Sequence, residues 1–234
     1  MSRQRNCYNL HVTVFDRDVS EIARRTAGAF RLGHRVQWYP HVTVLSHFRL
    51  RPGVPEERLL QSIAERARPF AFLPLTIDGF FLLANHRDGN YAIAHRVIPS
   101  GDFTAFWHPL AEDLFHYRLF PPGAPIARAE NTTDIYPEKK SLHITIARYL
   151  CRDEADALWQ AMQNHPRIQP LARTVDVLRL TLGRNMRIHA EYDLPRRTWL
   201  FGEEIFSRLE WAKTADAYEE QRTPPGFVPD RDGC

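Results

Sequence analysis

The sequence predicts an α+β domain with two lobes, and three observations carry that reading. Segments that alternate apolar and polar residues are interleaved with segments of helical periodicity, so strands and helices are mixed along the chain. The first and last parts look alike, each opening on a strand of the form His-apolar-Thr-apolar followed by a helix and further strands. No linker is long and soft enough to separate independent domains, and 234 residues at 44% hydrophobic and 25% charged suit one domain of generous size.

Residues 8–15 (YNLHVTVF) alternate and are rich in β-formers, which gives a first strand. Residues 17–32 place Ile22, Ala23, Ala27 and Phe30 at helical spacing, with Gly33 as the stop. A strand follows at 39–48, and Pro55 with two glutamates opens a helix whose apolar face is Leu59, Leu60, Ile63 and Ala67. Strands at 71–84 and 90–98 flank the turn-like HRDGN of 86–90. Residues 102–119 read as a helix through Phe103, Phe106, Leu110, Leu114 and Phe115, with Trp107 as core. The stretch 120–140, rich in Pro, Gly, Asn and Asp, is expected to be a surface loop. A strand at 142–149, a helix at 153–164 (Trp159 on its apolar face) and strands at 173–182 and 186–194 follow. The lobed domain thus spans residues 1–200, and 201–234 is expected to be a helix with a polar, Pro-rich tail.

Composition narrows the function classes. The formal charge of +3 is too small for a nucleic-acid coat protein but leaves room for a local basic cleft. Lysine occurs only at Lys139, Lys140 and Lys213; the arginine excess reads as composition bias except at individual positions. No apolar run approaches the roughly 20 residues of a membrane span, and the polar start is not a signal peptide, so a cytoplasmic protein with no membrane partner is expected. Cys7, Cys151 and Cys234 are odd in number and in no metal pattern, which disfavours a disulfide scaffold or zinc knuckle.

The chemistry is expected at a repeated tetrapeptide. His11-Val12-Thr13-Val14, His41-Val42-Thr43-Val44 and His143-Ile144-Thr145-Ile146 share one pattern, against about 0.1 occurrences expected from composition. In a strand, residues i and i+2 share a face about 6.6 Å apart, so each motif presents an imidazole beside a hydroxyl while its apolar neighbours anchor the opposite layer. If two related halves pack about a pseudo-twofold axis, two such pairs converge on one groove. That arrangement suits in-line displacement at phosphorus without a metal. A neutral histidine takes a proton from the attacking oxygen, an imidazolium gives one to the leaving oxygen, and the hydroxyls bond the non-bridging oxygens.

The pair at His41 and His143, with Pro40 and the Trp38-Tyr39 lead-in, resembles the 2H phosphoesterase superfamily, and within it the 2′-5′ RNA ligase and cyclic phosphodiesterase branch. The likeness runs from residue 8 to about 200. It implies a bilobal fold with an antiparallel sheet in each lobe and a groove between them. It also implies metal-free hydrolysis, or reversible transesterification, of 2′,3′-cyclic or 2′-5′-linked phosphates of RNA ends or small nucleotides. Carried over, His41 and His143 form the acid/base pair, Thr43 and Thr145 bind phosphate oxygens, and Arg148, five residues beyond His143, contacts phosphate. Which histidine is base and which acid stays open.

The first motif departs from the family pattern, since Leu45-Ser46-His47-Phe48 brings no aromatic or arginine five residues after His41. Tyr39, Phe48 and Tyr149 flank the motifs and are the candidates for stacking on a nucleobase. His11 lies where the family has a structural strand and is read as structural. His41 and His47 share a strand with no carboxylate or cysteine beside them, so no metal site or cofactor is expected. Two other functions are kept: an RNA-binding module without turnover, and a metal-dependent hydrolase with histidine ligands. A monomer is expected, and Arg128, Lys139 and Lys140 give the 120–140 loop the charge to close one end of the groove.

Overall fold

The computed structural model describes residues 6–32, 40–85, 90–119, 142–185 and 187–205, leaving aside the side chains of His47 and Asn85. Its elements are β1 (Tyr8–Thr13), α1 (Arg17–Phe30), β2 (His41–Leu50), α2 (Glu56–Ala67), β3 (Leu73–Asn85), β4 (Asn90–Pro99), α3 (Gly101–Phe115), β5 (Arg118–Leu119), β6 (His143–Leu150), α4 (Arg152–Gln163), β7 (Ala172–Val177), β8 (Arg179–Arg184), β9 (Arg187–Asp193) and β10 (Thr198–Phe201). The architecture is α+β, with one antiparallel sheet in the order β10-β9-β8-β1-β2-β6-β4-β3-β7 and β5 appended to β2.

Two lobes meet where β2 pairs β6, through Val42 opposite Ile144. The expected separate sheets are therefore halves of a continuous one. The order β1-α1-β2-α2-β3 is repeated as β4-α3-β6-α4-β8, with β5 inserted after α3 and β7 ahead of the last strand, and each repeat sends its final strand into the other lobe. Here the sequence reading of 173–182 as one strand is corrected. The chain turns at Leu178, and β7 pairs β3 in one lobe while β8 pairs β1 in the other. Buried apolar side chains are at odd positions before the turn (Val175, Val177) and at even ones after it (Leu180, Leu182). A slip in the two-residue period marks the switch.

The helix expected over 102–119 ends at Phe115, and Arg118–Leu119 instead extends β2 as β5. Phe201 closes strand β10 and does not open a helix; a short 3-10 turn, Gly202–Glu204, follows. The 86–89 turn, the Gly33 helix stop, the 120–140 loop and the tail from residue 206 lie outside the described residues. Among those described, no helix is long and apolar enough to cross a membrane.

Helices are fixed by their caps and then by burial. Asp16 caps α1 by accepting from the Asp18 and Val19 amides at 3.0 Å, and Arg173 of β7 pairs with both Asp16 and Asp18. Ser100 caps α3 through the Phe103 amide, and at α4 Glu154 accepts from the Cys151 amide. Helices α2 and α3 bury Leu59, Ile63, Phe103, Phe106 and Leu110 in one cluster with Val42 and Ile144. Helices α1 and α4 bury Ile22, Ala23, Ala155 and Leu158 in a second with Ile93 and Ile146. Ile144 and Ile146 are two residues apart on β6, so both helix pairs cover one face of the sheet. The other face carries the intervening residues, His143 and Thr145.

Candidate active site

Strand register assembles this second face. In β1 and β2, His11 stands opposite Thr43, Val12 opposite Val42 and Thr13 opposite His41. Across the seam, Val42 opposite Ile144 sets Thr43 beside His143 and His41 beside Thr145. Strand β4 continues with Arg96 opposite His143 and Ala94 opposite Thr145. On the far side, β8 adds Thr181 opposite His11, and β9 adds Glu191 opposite Thr181. One row therefore reads Glu191, Thr181, His11, Thr43, His143, Arg96, and the next reads Thr13, His41, Thr145, Ala94.

His41, Thr43, His143 and Thr145 are all partly exposed, whereas Val42 and Ile144 between them are buried. The two expected catalytic pairs thus share a face with their hydroxyls. His41 and His143 lie on a diagonal, where neighbours in a regular ladder are about 7–8 Å apart. Phe81 stands edge-on to His143 at 6.1 Å between centroids, and the Arg96 guanidinium lies 5.9 Å from the Phe81 centroid.

A spacing of five is odd and would turn Arg148 away from His143 on a regular strand. The ladder, however, shifts register between Ala94 opposite Thr145 and Ile93 opposite Ala147. Ile146 and Ala147 are both buried against the helices, a β-bulge that returns Arg148 to the face of His143. Its Nε is buried without a hydrogen-bond partner among the described residues, and its guanidinium lies 4.9 Å from the Tyr149 centroid. Tyr149 has φ 58° and is 59% exposed, a ring open to solvent. Strand β2 repeats the device: Leu10 opposite Leu45 follows His11 opposite Thr43, Val44 and Leu45 are both buried, and Ser46 takes the place of Arg148.

One sequence expectation, the stacking role of Phe48, changes here, and His11 gains a contact the sequence does not show. Phe48, a stacking candidate, is 1% exposed, with the Arg118 guanidinium 5.7 Å from its centroid and Tyr8 beside it, so it offers no face to a base. A second register shift in β2, before Phe48 opposite Tyr8, turns it into the apolar layer. His11, read as structural, has its ring 4.7 Å from that of His41. Its signal was the His-x-Thr motif itself, which the family likeness outweighed. Tyr39 and Trp38 lie outside the described residues.

Other ionisable groups sit apart from this face. His95, opposite Ile144, is buried against Phe80, and burial pushes its imidazole down to about 4 despite the opposing charge of Asp16. Glu56 at the start of α2 accepts from Tyr8 at 2.6 Å, contacts His189 at 2.5 Å and pairs with Arg184 at 3.0 Å. Burial opposes its ionisation, but these bonds outweigh it and hold the carboxyl below its ordinary value; burial and Glu56 together push the Tyr8 phenol up to about 12. Among the described residues no group of three or more His, Cys, Asp or Glu has the placement to hold a metal ion.

The model of the 2′-5′ RNA ligase superfamily matches residues 12–185, well over half of the chain. The chain belongs to that superfamily, the 2H phosphoesterases. The match takes in all three His-x-Thr motifs except His11 itself, along with Arg148 and the strands that complete both lobes. Comparison with curated proteins gives no significant match. Among solved structures, Kluyveromyces marxianus Usb1 is similar at 13% identity and TM-score 0.45, over 79% of this chain and 96% of that one. The same protein with uridine monophosphate is similar at 13% identity and TM-score 0.42, over 77% and 94%.

Proposed function

We propose that this chain is a phosphodiesterase that hydrolyses 2′,3′-cyclic phosphates or 2′-5′ linkages of RNA ends or nucleotides, using His41 and His143 as acid and base without a metal ion. The observation that carries the reading is the placement of two partly exposed His-x-Thr units side by side on one face of the sheet, joined at the Val42–Ile144 pair. Membership of the superfamily supports the same class of chemistry.

In the proposed step, one neutral imidazole takes the proton of an attacking water as its oxygen bonds phosphorus. The bond to the ester oxygen opposite breaks, and the second imidazole, charged, protonates that oxygen. Thr43 and Thr145 donate to the non-bridging oxygens, where charge develops. Arg148, on the face of His143, binds phosphate through the accessible end of its guanidinium, and exposed Tyr149 stacks on a base.

The test is hydrolysis of a nucleoside 2′,3′-cyclic phosphate with and without a chelator. Chelator-resistant turnover with a bell-shaped pH profile is expected. Binding without turnover would instead indicate an RNA-binding module, and loss of activity on chelation a metal-dependent hydrolase.

A further inference from the structure

We propose that Arg96, seated on the ring of Phe81, binds a second phosphate of the substrate, carried on the 5′-oxygen of the nucleotide whose 2′,3′ end reacts. The role in turnover rests on the phosphodiesterase reading, whereas the binding itself does not and is tested separately.

A β-bulge in β3 builds the pair. Up to Ile77 the odd positions of β3 face the helices, and Leu73, Leu75 and Ile77 are buried there. Continued regularly from Ile77 opposite Val97, the ladder would set Asp78 against Arg96 and turn Phe81 toward the helices. Instead the register shifts between Ile77 and Phe80, with Gly79 at φ 70°, a conformation glycine adopts without strain. The shift brings Phe81 opposite Ala94, onto the face of His143 and Arg96. Ala94 also stands opposite Thr145, and its small side chain leaves room for the Phe81 ring to lean across β4. Ala94 is accordingly fully buried, and the ring reaches His143 at 6.1 Å between centroids.

The charge left on this side calls for an anion. Arg96 is exposed, its guanidinium lies 5.9 Å from the Phe81 centroid, and it makes no hydrogen bond or ion pair among the described residues, with Asp78 or any other. Other arginines of the sheet are neutralised: Arg173 by Asp16 and Asp18, Arg184 by Glu56, and Arg179, on the same face across the seam, by Asp193. A guanidinium resting on a ring keeps its N–H fork free at the edge, and that fork matches phosphate oxygens. Arg96 stands level with His143, whereas Arg148, assigned to the reacting phosphate, lies about 13 Å further along β6. Cations anchored on opposite sides of Thr145 suit neighbouring phosphates of one nucleotide.

Two sources supply this chemistry, the terminal 5′-phosphate of a free nucleotide and the last linkage of an RNA chain. The experiment compares wild type with Arg96→Gln on four substrates. These are adenosine 2′,3′-cyclic phosphate, its 5′-phosphorylated form, the adenosine dinucleotide ending in the same cyclic phosphate, and that dinucleotide with a neutral methylphosphonate linkage. In kcat/KM the wild type should prefer at least one of the two substrates with a second charged phosphate over adenosine 2′,3′-cyclic phosphate by about tenfold, and Arg96→Gln should erase the preference. A gain from the 5′-phosphate alone assigns the site to free nucleotides; a gain from the dinucleotide alone, lost with methylphosphonate, assigns it to RNA ends. A structural role for Arg96 would lower all four rates and leave the ratios unmoved. No preference in the wild type, or one that survives in Arg96→Gln or with methylphosphonate, would overturn the proposal. Calorimetry with adenosine 3′-phosphate, adenosine 3′,5′-bisphosphate and the 3′-phosphorylated dinucleotide makes the same comparison without turnover. An Arg96-dependent advantage of the doubly phosphorylated ligands in a protein that hydrolyses none of the substrates would support the second phosphate site and overturn the phosphodiesterase reading instead.

Discussion

His95 makes a quantitative claim about acid stability. Its ring is fully buried against Phe80 and opposite Ile144, with neither nitrogen hydrogen-bonded among the described residues. Burial lowers its pKa from 6.5 to about 4. The sign follows directly: the unfolded chain binds this proton first, so the folded state loses stability as pH falls through 6.5 and stops losing it near 4. From those two values, the loss is about 0.2 kcal/mol at pH 7, about 2 at pH 5 and about 3 below pH 4. Urea unfolding of the wild type and of His95→Leu at pH 7 and pH 5 isolates the contribution. Leucine keeps most of the volume and removes two unsatisfied nitrogens, so the variant should be at least as stable at pH 7. It should then gain about 2 kcal/mol relative to the wild type at pH 5. Parallel stability curves for the two proteins across that range would refute the reasoning.

Further outcomes follow from the site and its surroundings. His41→Ala and His143→Ala should each cut hydrolysis of a 2′,3′-cyclic phosphate by at least ~100-fold with folding intact by circular dichroism. Arg148→Gln should raise KM for the same substrate more than it lowers kcat, since it removes a phosphate contact and no proton-transfer group; an unchanged KM would contradict that role. Phe48→Ala should cost about 3–5 kcal/mol in chemical denaturation, as for a buried ring, with no selective loss of oligonucleotide affinity. Glu56 is held below its ordinary pKa, so its contribution is present above about pH 4.3 and fades as pH falls through the lowered folded value. Glu56→Gln should therefore destabilise the protein at pH 7, with the gap to the wild type closing toward acid in thermal melts.

Most of the fold could be read from periodicity because strands with one buried face alternate cleanly. The motifs at residues 11, 41 and 143 did so, and their apolar members are the sheet's buried layer. What escaped was non-local or irregular. The switch at Leu178 hides in a continuous β-rich run and shows only as a change of parity between Val177 and Leu180. The bulges at Val44–Leu45 and Ile146–Ala147 decide whether a residue five positions beyond a histidine shares its face. A regular-strand rule would have turned Arg148 away, whereas it already sets Phe48 on the buried face of Val42 and Val44, to which the two register shifts of β2 return it. The contact of His11 with His41 depends on which strands become neighbours, a fact of topology that a single motif does not contain.

The exchange of β3 and β8 has a mechanical consequence. Each lobe is completed by a strand from the opposite half of the chain, while the seam itself carries the Val42–Ile144 pair. Prising the lobes apart would pull on two covalent straps before either sheet came undone, and an isolated half-chain would leave each hydrophobic layer with a missing stave.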